Sequence, residues 1–289
     1  MLQIKELIKK AQKGKYAVGA FNTSNLEVTQ AIARAAEAQK APAVISVTES
    51  ALEYAGFNTL IKIVQSIIAE SKTPLVLHLD HGKSYEICKK CIDAGFKSVM
   101  IDGSILPFEK NVKLTKKVVN YAHQRGIFVQ AELGKIPRVA SENKKTIDVK
   151  IGEMEKTVPE EAEKFVALTE IDTLAVIVGN IHGMYAPQGN PRLDIELLKK
   201  IKSKVSIPFI LHGGSGVSNE DIKKSITEGG IVTVNIDTEI RLAFTNALEK
   251  FYAGSKRTSD PRKVLSLARV AAQKKVEEKI KLFGSNGKA

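Results

Sequence analysis

The sequence has few cysteines and lacks long apolar runs, and each absence excludes a class of protein. Two cysteines among 289 residues are too few for the disulfide framework of a small secreted domain. No apolar run approaches the ~20 residues that a membrane-spanning helix requires. The opening segment MLQIKELIKKAQKGK has no apolar signal-peptide core. We therefore expect a cytoplasmic protein that works in a reducing compartment and has no membrane partner.

Basic residues outnumber acidic ones, 44 Lys and Arg against 32 Asp and Glu, which gives a net charge of +12. An excess of this size is sometimes a sign of nucleic-acid binding. Here the lysines are spread along the chain with mild clustering near the C-terminus, and no RNP motif, zinc-finger spacing or Arg-rich arm accompanies them. The pattern favours a solvated lysine-rich surface and no nucleic-acid partner.

Short apolar runs alternate with longer segments of helical periodicity along the chain. Eight runs are predicted as strands, at residues 16–22, 43–48, 75–80, 98–102, 127–134, 173–179, 208–214 and 231–237. A helix is predicted after each strand, at residues 25–39, 59–71, 85–94, 108–125, 160–169, 195–203, 219–228 and 238–252.

Eight strand–helix units in succession predict an α/β protein with a closed (β/α)8 TIM barrel. The strands are apolar over nearly their whole length, which is typical of buried parallel strands. An open doubly wound sheet is the alternative, although such sheets usually have fewer strands. We expect one barrel domain over residues 1–289, with an additional C-terminal helix within an extension at residues 260–283.

Polar residues occur where each predicted strand ends. Active sites of barrels lie at the carboxyl ends of the strands, so we expect these side chains to converge. They are Asn22, Thr48, Asp80, His81, Asp102, Glu132, His182, His212, Asn235 and Asp237.

Three of the five histidines belong to this set. His81, His182 and His212 follow the third, sixth and seventh strands. Three imidazoles at one mouth match a zinc site with three protein ligands and an open fourth position. His78, within the third strand, and His123, on a helix, are expected to be structural.

Three acidic residues accompany the histidines. Asp80 directly precedes His81, where a carboxylate either moves protons on a metal-bound substrate or orients a histidine. Asp102 and Glu132 either hold a second or alternate metal position or are structural acids. The residues alone leave both alternatives open.

Glycine-containing loops follow the last two strands, the place where barrels commonly bind phosphate. Gly213, Gly214 and Ser215 follow the seventh strand, and Asn235, Ile236, Asp237 and Thr238 end the eighth. Backbone N–H groups beside glycine and the N-terminus of the next helix attract an anion. These loops predict a phosphate subsite.

Cys88 and Cys91 form a CKKC sequence inside a predicted helix. A zinc ribbon needs a second pair, and a redox CxxC lies at the start of a helix. We interpret both thiols as packing residues.

Six segments together resemble class II, zinc-dependent aldolases. They are HLDHG (78–82), SVMIDGS (98–104), AELG (131–134), GNIHG (179–183), LHGGSG (211–216) and VNIDTE (234–239). The resemblance covers essentially the whole chain and is greatest for fructose-bisphosphate and tagatose-bisphosphate aldolases. It implies reversible cleavage of fructose 1,6-bisphosphate into dihydroxyacetone phosphate and glyceraldehyde 3-phosphate in glycolysis. Tagatose 1,6-bisphosphate and a deoxy-phosphogluconate are the alternative substrates.

The resemblance also implies roles for individual residues. His81, His182 and His212 would bind catalytic Zn²⁺, and Asp80 would exchange the proton of the substrate C4 hydroxyl. Asp102 and Glu132 match ligands of a second or alternate metal, and a monovalent cation is a family feature near the phosphate. The remaining substrate-binding candidates are Asn22, Thr48, Gly183, Gly213, Gly214, Ser215, Asn235, Ile236, Asp237, Thr238 and Arg262. Arg262 of the DPR sequence matches a residue that holds the other phosphate across a subunit interface, and the resemblance implies a homodimer or higher homo-oligomer.

The loop after the fifth strand departs from the family pattern. Gln130 replaces a glutamate, and Pro137 and Arg138 replace glycines, which stiffens the loop. Ala140 stands where the family carries a glutamate that protonates the enediolate carbon, with Glu142 as a substitute two residues on. A barrel that retains metal and phosphate binding with weakened catalysis is therefore a further alternative.

Overall fold

The fold is a closed barrel of eight parallel strands in sequence order. The computed structural model describes residues 4–136, 154–181, 192–254 and 257–289. Strand β1 pairs with β8 as well as with β2, so the barrel prediction is confirmed and the open-sheet alternative is wrong. Strands β1 to β8 are Val18–Asn22, Ala43–Thr48, Leu75–Gly82, Ser98–Ile101, Phe128–Leu133, Thr173–Val176, Phe209–Leu211 and Ile231–Ile236.

Eleven helices are present in the described part of the chain, and most of them lie outside the barrel. Helices α1 to α11 are Ile4–Gly14, Leu26–Ala38, Glu49–Ala55, Phe57–Glu70, Tyr85–Asp93, Phe108–His123, Pro159–Thr169, Ile195–Lys204, Asn219–Thr227, Thr238–Ala253 and Pro261–Leu282. None of these described helices is long and apolar enough to cross a bilayer.

Helix α1 was not predicted, and it closes the amino end of the barrel. Its apolar residues Ile4, Leu7, Ile8 and Ala11 recur at helical spacing and are buried. They form one cluster with side chains from the early residues of several strands, among them Val18. The amino end is therefore filled, and a site has room at the opposite end.

The C-terminal helix α11 is part of the packed structure. Its buried residues Val264, Ala268, Ala272, Val276 and Ile280 follow a four-residue spacing and make one apolar stripe. The helix packs against α2 and α10. The prediction of an added helix is confirmed, with bounds that differ by one residue at each end.

Strands β6 and β7 each end three residues earlier than predicted, and in both places the chain then turns at a glycine. Strand β6 stops at Val176 and β7 at Leu211, while Gly179 and Gly213 adopt positive φ angles of 108° and 63°. Backbone of this conformation leaves the extended region that a strand requires. His81, at the end of β3, is also left-handed, with φ 53°, a strained geometry that often marks functional residues.

Candidate active site

The carboxyl ends of the strands surround a cavity of about 880 Å³. Because parallel strands all end at this side of the barrel, residues far apart in sequence meet there. Ten of the predicted site residues line it: Asn22, Thr48, Asp80, His81, His212, Gly213, Ser215, Asn235, Asp237 and Thr238. The polar residues that the sequence places at the strand ends therefore lie together at one site.

His81 and His212 present ring nitrogens to the same point. Nε2 of His81 lies 3.0 Å from Nδ1 of His212, and the rings are edge to face. Oδ1 of Asp80 lies 3.9 Å and 4.0 Å from these two nitrogens. One ligand atom from each of the three residues falls within 4.8 Å of the others. Two imidazole nitrogens that face one point suit a divalent metal such as zinc, and the carboxylate of Asp80 lies beside that point.

The opposite nitrogen of each imidazole meets a second side chain. Nδ1 of His81 lies 2.8 Å from Oδ2 of Asp102, and the hydroxyl of Ser104 donates to Oδ1 of Asp102. Nε2 of His212 lies 2.6 Å from Nε2 of Gln130. Metal-binding histidines are usually oriented by such outer partners. In this structure Asp102 contacts His81 as an orienting acid would.

Asp80 is held in one position at the floor of the cavity. Nδ2 of Asn22 donates to its Oδ2 at 2.6 Å, and Nδ2 of Asn235 donates to its Oδ1 at 3.4 Å. Burial alone would raise the pKa of Asp80, but the imidazoles of His81 and His212 outweigh burial and lower that pKa to about 2. Asp80 is therefore a fixed carboxylate at neutral pH.

Glu132 is buried, and its Oε2 has no hydrogen-bond partner among the described residues. Burial raises the pKa of Glu132 to about 8. The imidazole of His81 lowers this pKa, but by less than burial raises it. Glu132, Asp102 and His81 offer ligand atoms that lie within 4.8 Å of one another. An orphaned buried carboxylate oxygen is costly, and a cation at this position would satisfy it.

The loops after β7 and β8 are joined by hydrogen bonds. The N–H of Gly214 donates to the carbonyl of Asn235, and the N–H of Gly216 donates to Glu239. A Cβ on Gly213 would lie 2.3 Å from the carbonyl oxygen of Ile181, so the close approach requires glycine. Helix α10 begins at Thr238 within the cavity wall, and its N-terminal N–H groups favour an anion there.

Two cationic residues of the described cavity wall were not predicted as site residues. They are Lys83, just after β3, and Arg241, in the first turns of α10. Nε of Arg241 lies 3.1 Å from Oδ1 of Asp237. Both residues follow the end of a strand by a few positions. Including the first residues after each strand among the candidates would have found them.

Other predicted residues lie elsewhere. Arg262 is exposed and bonds to Asp260 at the start of α11, and it does not line the described cavity. His182, Gly183, Pro137, Arg138 and Ala140 lie outside the described residues, as does Glu142.

The residues read as structural all make contacts away from the cavity. His78 bonds to Ser98 inside the barrel, and His123 pairs with Asp172. Cys88 and Cys91 are buried within α5.

Comparisons with known proteins identify the family of this chain. The family model of fructose-bisphosphate aldolase class-II matches residues 2–288. A fructose-bisphosphate aldolase of Geobacillus stearothermophilus is 43% identical over 293 residues, covering 100% of this chain and 99% of the relative. One of Staphylococcus epidermidis is 40% identical over 292 residues, with the same coverage. The crystal structure of the YdjI aldolase of Escherichia coli superposes with a TM-score of 0.85 at 34% identity, covering all of both chains. The chain therefore belongs to the class II fructose-bisphosphate aldolase family.

Proposed function

We propose that the chain is a cytoplasmic, metal-dependent aldolase that reversibly cleaves fructose 1,6-bisphosphate, as in glycolysis. The products are dihydroxyacetone phosphate and glyceraldehyde 3-phosphate. The observation that carries the proposal is the cluster of Asp80, His81 and His212 at the floor of the cavity. A metal-binding group, a fixed carboxylate and two anion-binding loops together match what the cleavage of a phosphorylated β-hydroxy ketone requires.

The side chains present fit a divalent metal ion. His81 and His212 would hold it, with His182 as the third ligand that the resemblance implies. Glu132 offers an alternate position, since its Oε2 has no partner among the described residues. When bound, Zn²⁺ supplies Lewis-acid stabilisation of the enediolate charge, worth several kcal/mol. A second metal position and a monovalent cation near the phosphate stay predictions.

Asp80 is the group that would move the proton in the cleavage step. As the C3–C4 bond breaks, its carboxylate accepts the proton of the C4 hydroxyl, and in condensation it returns the proton. Asn22 and Asn235 hold the two oxygens of Asp80 in place. These hydrogen bonds support the role of Asp80 as a general base, because a general base must stay within hydrogen-bond distance of the proton that it accepts.

The loops after β7 and β8 would hold the phosphate of the ketone half. Gly213 and Ser215 bring the loop after β7 to the cavity wall, and the start of α10 at Thr238 adds a favourable dipole. Lys83 and Arg241 add positive charge to the described cavity wall. A bisphosphate suits this wall because its two anionic ends need separate partners.

We further propose that the active enzyme is a homodimer. Helices α10 and α11 pack on each other, and they expose three large apolar side chains, Tyr252, Leu267 and Val270, that a partner copy would cover. Arg262 does not line the described cavity of its own chain. A role for it with the second phosphate, as the resemblance implies, would need a partner copy.

The proposed activity is tested by a coupled assay that detects dihydroxyacetone phosphate released from a panel of ketose phosphates. The panel contains fructose 1,6-bisphosphate, tagatose 1,6-bisphosphate and fructose 1-phosphate. We expect the highest kcat/KM with fructose 1,6-bisphosphate. A higher value for the tagatose isomer would replace the proposed substrate, and binding of dihydroxyacetone phosphate without turnover would favour the weakened-catalysis alternative.

A further inference from the structure

Gln130 lies against the side of His212 that faces away from the candidate metal position. Its Nε2 is 2.6 Å from Nε2 of His212, while Nδ1 of His212 faces His81 and Asp80. The two side chains come from β5 and from the end of β7, and they are 2% and 1% exposed. The contact is therefore a buried, direct one between a carboxamide and a candidate ligand.

The direction of this contact depends on which nitrogen of His212 carries the proton. With Nε2 of Gln130 toward the ring, the amide donates to an unprotonated Nε2. For Nδ1 to offer its lone pair to a metal, the proton must instead lie on Nε2. A half-turn of the amide then presents Oε1, which accepts that proton in a hydrogen bond. A carboxamide can serve both tautomers, whereas a carboxylate can only accept.

Water has little room to take over this role. Gln130 borders a small cavity inside the barrel, shared with His78, Ser98 and Thr233. Its volume of about 10 Å³ is at the lower limit of what one water molecule needs. Replacing Gln130 by a side chain without an acceptor would therefore remove the hydrogen bond between position 130 and the Nε2–H of His212.

The outer partners of the two candidate ligands differ in charge. His81 contacts the carboxylate of Asp102, and a carboxylate partner makes an imidazole a stronger donor to the metal. His212 contacts a neutral amide. His81 and His212 are therefore unequal ligands in this chain.

From these contacts we propose that Gln130 is a positioning residue that fixes the metal-binding tautomer of His212 and sets the metal affinity below that of a carboxylate at this position. The proposal rests on the proposed metal-dependent function. It assigns to the Gln130 side chain a role in tuning the metal site.

The test measures Zn²⁺ affinity by competition with a chromophoric chelator for the wild type, Gln130→Met and Gln130→Glu. Methionine keeps an unbranched chain of similar size and removes both hydrogen-bonding groups, and glutamate keeps an acceptor and adds charge. Gln65→Met is the matched control, since Nε2 of Gln65 donates to the carbonyl of Ala94 in a part-buried setting on α4. Absorption of the Co²⁺-loaded proteins reports the ligand field independently of turnover.

We expect Gln130→Met to weaken Zn²⁺ binding about 10- to 100-fold, the usual effect of removing such a partner. Gln130→Glu should bind more tightly than the wild type, with a shifted Co²⁺ spectrum, and Gln65→Met should match the wild type. Equal affinities and spectra for all four folded proteins would overturn the proposal. If Gln130→Met does not fold, Gln130→Glu against the wild type decides. A wild type that binds no metal would instead refute the proposed function itself.

Discussion

At the residue scale, Asp80 carries the chemistry of the proposed mechanism. It is buried, bonded to two asparagines and adjacent to both candidate metal ligands. Asp80→Asn keeps the shape of the side chain and removes the proton acceptor. We expect kcat to fall about 100- to 10,000-fold, the typical contribution of a positioned acid or base. Zn²⁺ binding, measured by the chelator competition, should persist. Turnover within tenfold of the wild type would contradict the assignment.

The two cysteines give a second prediction at this scale. Burial raises the pKa of the Cys91 thiol to about 12 and raises that of Cys88 further above its usual range. Only the thiolate is nucleophilic, so the folded protein should resist iodoacetamide at pH 8, as followed by mass spectrometry. The same protein in denaturant should take up two labels. Rapid labelling of the folded protein would show that the helix is not packed as described.

Residues of the candidate site were predictable from the sequence wherever a strand ended in a polar side chain. Barrel geometry alone brings Asp80, His81 and His212 together once the strands are located. The contact of Gln130 with His212 was not predictable, because it depends on side-chain torsions and on which residues of β5 point inward. The sequence showed Gln130 only as a departure from a family pattern, without its partner.

At the scale of elements, the loop between β7 and α9 depends on the conformation of Gly213. Its φ is 63° and a Cβ would lie 2.3 Å from the carbonyl oxygen of Ile181. Gly213→Ala must therefore displace backbone in the proposed phosphate loop, and we expect kcat/KM to fall at least tenfold.

Gly287 provides the control for that variant. It also has a positive φ, 72°, but an added Cβ would have no neighbour within 4 Å. Gly287→Ala should cost only the backbone term of about 1–2 kcal/mol in the free energy of unfolding, with kcat/KM unchanged. Equal kinetics for both variants would show that the Gly213 loop does not contact substrate.

The strands and most helices were predictable because their apolar patterns are strong, and the misses have physical reasons. Helix α1 has a clear apolar stripe, but no strand precedes it, so the expected strand–helix alternation does not place it. Helix α3 is short, Glu49–Ala55, and is capped by the side chain of Thr48. Strands β6 and β7 end early because the backbone turns, and the apolar runs in the sequence do not show where these turns begin.

At the scale of the whole molecule, the proposed homodimer gives a direct prediction. The exposed apolar residues of α10 and α11 should be covered by a second copy. Sedimentation or light scattering at micromolar concentration should give twice the chain mass of 31.5 kDa. A monomer with full activity would refute both the dimer and a role for Arg262 across it.

Metal dependence is the central claim, and one measurement tests it most directly. Purified protein is assayed for cleavage of fructose 1,6-bisphosphate before EDTA treatment, after it, and after Zn²⁺ is restored, with bound zinc quantified each time. We expect activity to disappear with EDTA and to return in proportion to zinc, up to one ion per chain. Cleavage that persists in the zinc-free protein, or no cleavage with one zinc bound per chain, would contradict the account.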